Sequence, residues 1–342
     1  MRITPRHNPA VNDYWMCDIG RFDYHWIEGP DRLRSALVRG ADGGQQPVDP
    51  REALAKIADH VDAIGGTGEL RFLVSAHASI EELFLLGRLG GAFGLPEDGV
   101  AISWRTRPKP QPSGSKFKIP PVDAPNVRGA ADLGFPVKSA ANGEPDLSAF
   151  RQQIEAGAVK ALFVFDPGPA GSIGDVSWVI DARKSGKLPL LIVQGVLSTD
   201  LTRAADVVLP GACALEKDGA YVNQQGRLQG AARSLAAPGD AQEDWQIFVN
   251  LAMALGATLD YTAPAHVRAD VARALGGNPT YAGLAELSFP RPVGARHWLQ
   301  ASNPSERWKW DVMFQDLAPV KFDAPPDLTT IPFTAIRLQK VD

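Results

Sequence analysis

The run VKALFVFDPGPAGSIGDVSWVIDARKSGKLPLLIVQGVLSTDLTRAADVVLP, residues 159–210, decides the fold. Val159–Phe165 is an unbroken apolar run of strand length, and Pro189–Gln194 is a second. Between them Trp178–Lys184 reads as a helix, and Val207–Leu209 is a short strand stopped by Pro210. Strand, helix, strand alternation with continuous apolar strands predicts a parallel sheet covered on both faces. Ligands of such sheets lie outside the strand carboxyl ends. The loops 166–171 and 194–199 are therefore the candidate cleft on geometry alone.

Upstream the same alternation appears. Asp49 reads as an N-cap and Pro50 as the first residue of a helix running to about Ile64, ended by Gly65 and Gly66. Arg71–Ser75 reads as a buried strand. Ser79 with Glu82 forms a capping box for a helix whose apolar face holds Leu83, Leu86 and Leu89. Ala101–Trp104 is a further strand, and Asp146–Ala156 a helix. Residues 106–126 are rich in proline, and 105–118, RTRPKPQPSGSKFK, carry five basic residues and no acid. That strip reads as a docking surface for an acidic partner or as a solvated loop.

Downstream, Ala220–Arg227 predicts a hairpin with Asn223 and Gly226 as turn formers. Glu216, Lys217 and Asp218 before it read either as a charged turn or as an acid that contacts a cofactor. Glu243–Leu255 is an amphipathic helix, and 265–275 looks helical. Beyond that the pattern fades, apart from late aromatics at Trp298, Trp308, Trp310 and Phe314.

Composition narrows the function classes. The 342 residues are 44% apolar and 22% charged, which is ordinary for a globular chain. A net charge of −4 gives no basic footprint for nucleic acid. No apolar run approaches the ~18 residues of a membrane helix, and the N-terminal stretch lacks the apolar core of a secretory signal. The expectation is a cytoplasmic protein with no direct membrane insertion. Cys17 and Cys213 are too few for a disulfide framework or a closed cysteine metal site. The 33 glycines and 28 prolines point to many loops.

Five stretches carry a resemblance: NPAVNDYWMCDIGRF at 8–22, RLRSALVR at 32–39, PNVRGAADLG at 125–134, STDLTRAADVVLPGACALEKDGAYVNQQGRLQ at 198–229, and EDWQIF at 243–248. Together they resemble the molybdopterin oxidoreductase superfamily. More narrowly, they resemble the large iron–sulfur subunit of respiratory complex I, the NADH-quinone oxidoreductase. The resemblance implies a molybdopterin-oxidoreductase-like α/β fold with two Rossmann-like parallel α/β units and a loop-rich C-terminal extension. The implied division is 1–48 as the end of a four-iron cluster region, 49–138 as the first unit, 139–262 as the second, and 263–342 as a helical and extended tail.

The resemblance also assigns residues. Cys17 stands where the family places the last thiolate of a four-iron cluster, whose other three ligands are absent from this chain. The plain alternative for Cys17 is a buried free thiol among aromatics. Asp166, Pro167, Ser198 and Thr199 match positions where the family grips molybdopterin guanine dinucleotide. Here the chain departs from the family pattern: Asp166-Pro167-Gly168-Pro169 replaces the usual Gly-x-Asn-Pro, and Gly195 stands near a usual acid. Ser198 and Thr199 sit at a helix start, where they read as caps or as an anion site. Metal-holding members use Cys, selenocysteine, Ser or Asp, yet no Cys lies between residues 18 and 212 and His77 stands alone.

The implied function is a largely structural lobe that binds no cofactor by itself, has no catalytic residue of its own, and supports electron transfer from NADH to quinone. Its partners are then the other subunits of the complex I peripheral arm, at the inner membrane's cytoplasmic face. Two alternatives stand beside it: a cofactor-binding subunit of a formate dehydrogenase or hydrogenase–diaphorase, and a non-catalytic interaction module.

Overall fold

The computed structural model describes residues 11, 15–108, 113–114, 121–140 and 142–287. Lys109, Lys116, Lys118 and the late aromatics lie outside the described residues. The chain divides at His25/Trp26 into two compact units. In the N-terminal unit, α1 (Asp18–Phe22) is a single turn capped by Cys17.

The second unit begins with an antiparallel pair, β1 (Ala36–Arg39) and β2 (Gln45–Val48). Then come α2 (Pro50–Ala63), β3 (Leu70–Ser75), α3 (Ile80–Ala92), β4 (Val100–Ser103) and α4 (Val127–Asp132). The chain continues through α5 (Ser148–Glu155), β5 (Ala161–Asp166), α6 (Ser177–Lys184), β6 (Leu190–Gly195), α7 (Asp200–Ala204) and β7 (Val207–Pro210). The hairpin β8 (Gly219–Val222) and β9 (Leu228–Ala231), then α8 (Asp244–Ala254) and α9 (Pro264–Ala274), complete it. This is the mixed α/β fold with a parallel sheet that the strand pattern predicts.

The strands of both expected units lie side by side in one seven-stranded sheet of order β2-β1-β7-β6-β5-β3-β4. β4, β3, β5, β6 and β7 are mutually parallel, and β1 runs antiparallel to β7. Successive side chains of a strand point to opposite faces, and here both faces are apolar. Phe72, Val74, Phe163, Phe165 and Ile192 face a layer with α2, α3, α8 and α9. Leu73, Leu162, Val164, Leu191 and Val193 face α5, α6 and α7. Edge-to-face pairs fasten the first layer: Phe72 to Phe163 at 5.6 Å between ring centroids, and Phe165 to Phe248 at 5.1 Å.

The helix starts follow local chemistry. Asp49 accepts the Arg51 amide at 2.8 Å, and Pro50 occupies the first helical position, where no N–H is needed. Ser79 and Glu82 bond each other's main-chain amides in the expected box. The α7 cap falls one residue later than Ser198. Thr199 exchanges bonds with Thr202, while the Ser198 amide is drawn to the Asp31 carbonyl at 2.7 Å.

Close approaches fix the layer above the sheet. Asn126 is buried, donates to the Ala78 carbonyl at 2.8 Å and accepts the Val222 amide at 2.9 Å, so it ties α4 to the α3 entry and to β8. A Cβ on Gly129 would fall 2.2 Å from the Asn126 Oδ1, and one on Gly211 would fall 2.3 Å from the Asp244 Oδ1. Gly129→Ala and Gly211→Ala are therefore each expected to cost about 1–3 kcal/mol, as overpacking of a filled interior does. Gly91→Ala, where a Cβ meets nothing within 4 Å, should leave thermal stability unchanged or slightly raised. Thermal unfolding of the three variants beside the parent chain measures the contrast.

Candidate functional site

The carboxyl ends of β3, β5, β6 and β7 bring Ser75, Asp166, Gly195 and Pro210 to one edge of the sheet. The loop after β5 turns back on itself at once. Ser172 donates its hydroxyl to Asp166 Oδ1 at 2.6 Å, and its amide bonds the Pro169 carbonyl at 2.9 Å. Gly168 is pressed under this turn: a Cβ there would lie 2.3 Å from the Ser172 Oγ and 2.8 Å from the His77 Cγ. His77 donates Nε2–H to the Asp123 carbonyl across 3.0 Å, and burial lowers its pKa, so the ring is neutral. Burial pushes the Asp166 carboxyl up to about 6, against bonds from Ser172, the Gly168 amide and Ser75.

The loop after β6 is equally engaged. Ser198 Oγ accepts from the Arg203 guanidinium at 3.2 Å. The Thr199 hydroxyl accepts the Thr202 amide at 3.3 Å, and the Thr202 hydroxyl accepts the Thr199 amide at 2.7 Å. Of the four dinucleotide-grip candidates, Asp166 and Thr199 line one common cavity, with Gly168, Gly195 and Thr202. Pro167 is buried beside it without an N–H to offer, and Ser198 turns to Arg203.

That cavity measures about 10 Å³, the room of about one water molecule. Its walls carry no Lys or Arg among the described residues, and its one charged group is the Asp166 carboxyl. A pyrophosphate needs cationic or amide donors, and here the hydroxyls and the amide of Thr199 are already bonded to one another. The pterin dinucleotide implied by the resemblance does not fit this cleft as it is arranged.

Cys17 is exposed, where the plain reading expected burial, because its Sγ serves the α1 cap by accepting the Gly20 amide at 3.3 Å. Cys213 is fully buried, and desolvation lifts its thiol to about 11, so it stays protonated. Among the described residues no group of three or more His, Cys, Asp or Glu is disposed around a metal position. The basic strip is partly neutralised: Arg105 and Arg107 both reach Asp123, at 3.0 and 3.6 Å.

The densest electrostatics lie beneath the edge, at Glu216 and Lys217, for which, as for Asp218, the sequence offers a charged turn or an acid that contacts a cofactor. Glu216 and Lys217 are each only 2% exposed. Arg32 meets Glu216 at 2.5 Å and also donates to the Val196 and Gly211 carbonyls. Lys217 bridges Glu82 at 2.5 Å and Asp244 at 2.6 Å, and Gln194 donates to Asp244 at 2.6 Å. Burial alone would lower the Lys217 pKa, but Asp244 and Glu82 raise it well above the usual range. Of the three, only Asp218 behaves as a turn residue, accepting the Arg233 amide at 2.7 Å. Asn223 holds the hairpin turn through the Gln225 and Arg227 amides. The signal available in the sequence was Glu82 itself, a charge on the same helical stripe as Leu86 and Leu89.

Residues 128–254 match the molybdopterin oxidoreductase family model. The chain is 34% identical over 197 residues to a formate dehydrogenase 1 subunit alpha from Methanococcus maripaludis, covering 51% of this chain and 28% of that one. It is 42% identical over 98 residues to a formate dehydrogenase subunit alpha from Methanocaldococcus jannaschii, covering 29% of this chain and 14% of that one. A putative formate dehydrogenase of Staphylococcus aureus is 30% identical over 163 residues, 48% of this chain and 16% of its own. The chain thus spans about a quarter or less of the curated relatives it matches. Among solved structures, acetylene hydratase from Pelobacter acetylenicus superposes with a TM-score of 0.45 at 10% identity, over 74% of this chain and 65% of that one. Residues 128–254 thus carry the likeness to molybdopterin oxidoreductases that the quoted stretches lead one to expect. These sequence relatives favour the formate dehydrogenase alternative over the narrower complex I reading.

The edge makes a pH prediction. A carboxyl whose folded pKa is raised contributes stability below its unfolded pKa and loses it as pH rises through the folded value. For Asp166 that window runs from 3.8 to about 6. Asp166→Asn should gain on the parent across it, by on the order of 1 kcal/mol once solvent screening is allowed for. Paired melting curves read this gain, and a constant difference across the window would contradict it.

Proposed function

We propose that this chain is a supporting lobe of an oxidoreductase of the formate dehydrogenase kind, whose own dinucleotide cleft has closed. The observation that carries the reading is the cavity of about 10 Å³ between Asp166 and Thr199, walled without a cation. The similarity to formate dehydrogenase alpha chains supplies the class of enzyme, and the closed cleft supplies the role: a frame, with the redox centre held elsewhere in the assembly. A second reading shares that observation. A lobe without a pterin also suits the large iron–sulfur subunit of NADH-quinone oxidoreductase, where it would stand in the peripheral arm among its neighbours. Among the described residues no helix is long and apolar enough to cross a membrane.

Deletion of the reading frame, with complementation, separates the readings. Loss of formate-dependent dye reduction, with NADH–quinone reductase intact, is the outcome expected for the first. The reverse pattern moves the chain to complex I. The chain itself, purified from its native host and separated from its partners, should release no stoichiometric guanosine monophosphate on mild acid hydrolysis. A full equivalent would overturn the closed-cleft role under either reading.

A further inference from the structure

Lys217 lies where three elements meet, and nothing in the proposed role uses it. Glu82 comes from α3, Asp244 from the first turn of α8, and Lys217 from the segment that enters β8. The ammonium also sits 5.7 Å from the ring of Phe165, the penultimate residue of β5. Two carboxylates share one buried cation, so the fully ionised cluster carries an excess negative charge with no water to screen it. The polar count does not close either: Gln194 Oε1 and Tyr221 OH are buried with no hydrogen-bond partner among the described residues. A polar atom left unpaired in a low-dielectric interior is costly. The packing leaves no slack to absorb the charge, since Cβ atoms at Gly211 and Gly219 would lie 2.3 Å from Asp244 Oδ1 and 3.0 Å from the Ser79 Cβ.

We infer that the Glu82–Lys217–Asp244 cluster is a proton-operated clasp: with a proton on Glu82 it holds the β8–β9 hairpin against α3 and α8, and without that proton the hairpin opens more often. Opening uncovers Phe165 and Gln194, and so the floor of the sheet's carboxyl edge. This device is independent of the proposed function.

The groups around Glu82 set the direction. On its own helix Glu81 is buried, bonded to the Ala220 amide at 2.9 Å and paired with Arg268 of α9 at 3.3 Å. From the hairpin come Lys217 and Tyr221, and from α8 comes Asp244. Burial, then Asp244, push the Glu82 carboxyl up to about 7 against the pull of Lys217 and Ser79. The hold is therefore complete below the ordinary carboxylate pKa and weakens as pH rises toward neutrality.

Hydrogen exchange of the full-length chain tests this, read by mass spectrometry on peptides spanning 214–231 from about pH 5 to about pH 8.5 and corrected for the intrinsic rate. The opening constant of the hairpin should climb with pH, approaching about tenfold per unit in the steepest part. Peptides from α5 serve as the reference and should stay flat. Glu82→Gln, which keeps an oxygen for the Ser79 amide, should abolish the climb. Asp244→Asn should abolish it too, because one carboxylate and one ammonium then balance. The slope, not the absolute protection, is the readout, so a general loss of stability in either variant does not mimic the result. Asp166→Asn should retain the climb, since that carboxyl belongs to the other loop. A flat hairpin in the parent chain, or an equal slope in Glu82→Gln, overturns the clasp.

Discussion

The constraint on which the upper layer depends is the placing of one lysine ammonium between two carboxylates without water. Lys217 joins α3 to α8 through Glu82 and Asp244, and Gln194 attaches the same Asp244 to β6. A buried ion pair of this kind adds little net stability over a well-packed apolar group of equal size, but removing one partner leaves an uncompensated buried charge. Its effect is therefore on specificity. Seated as it is, the hairpin entry places Lys217 against both carboxylates. Arg32 and Glu216 repeat the logic a few residues earlier, fastening the segment before β1 to the loop after β7. Glu81 and Arg268 do the same between α3 and α9.

The sheet below follows from a simpler rule. The central residues of β3, β5 and β6 are apolar on both faces, so neither face can meet water and both must be covered. Helices cover them, and the polar residues that cannot sit in the strands collect at the carboxyl edge. That edge is where a ligand of an open α/β sheet would lie. Here the collected groups satisfy each other instead: Ser172 with Asp166, Thr199 with Thr202, and Ser198 with Arg203. A site that binds a polyanion keeps donors in reserve. Here the cavity lining holds no Lys or Arg among the described residues, and it adds a carboxyl.

Local rules were readable in the sequence and long-range ones were not. Asp49, the Ser79–Glu82 box and the Asn223–Gly226 turn are decided by partners two to four residues away, so their types and spacing suffice. The apolar runs at 159–165 and 189–194 declare their own burial. Glu216 and Lys217 looked like a solvated turn because Asp and Gly follow them, while their partners, Arg32 and Glu82, come from far upstream. No local pattern reports such a pair. Ser198 is the cap the sequence suggests, but Thr199 caps the helix while the Ser198 amide bonds Asp31 across the chain. Cys17 was expected to be buried on its residue type, and a helix one turn long left it exposed.

The same distinction bears on what the resemblance can carry. Gly211, Glu216, Lys217, Gly219, Asn223 and Asp244 all fall within the stretches that resemble molybdopterin oxidoreductases, and each has a structural task here. Gly211 makes room for Asp244, and Gly219 for Ser79. Glu216 and Lys217 neutralise buried charge, and Asn223 closes a turn. Those stretches thus encode the clamp of hairpin to sheet, a requirement of the scaffold whether or not a cofactor is held. At the loop after β5, where a cofactor would impose its own demand, the chain instead places Asp166, Pro167 and a Gly168 pressed against Ser172 and His77. Likeness in the clamp supports a shared architecture and transfers no chemistry to the cleft.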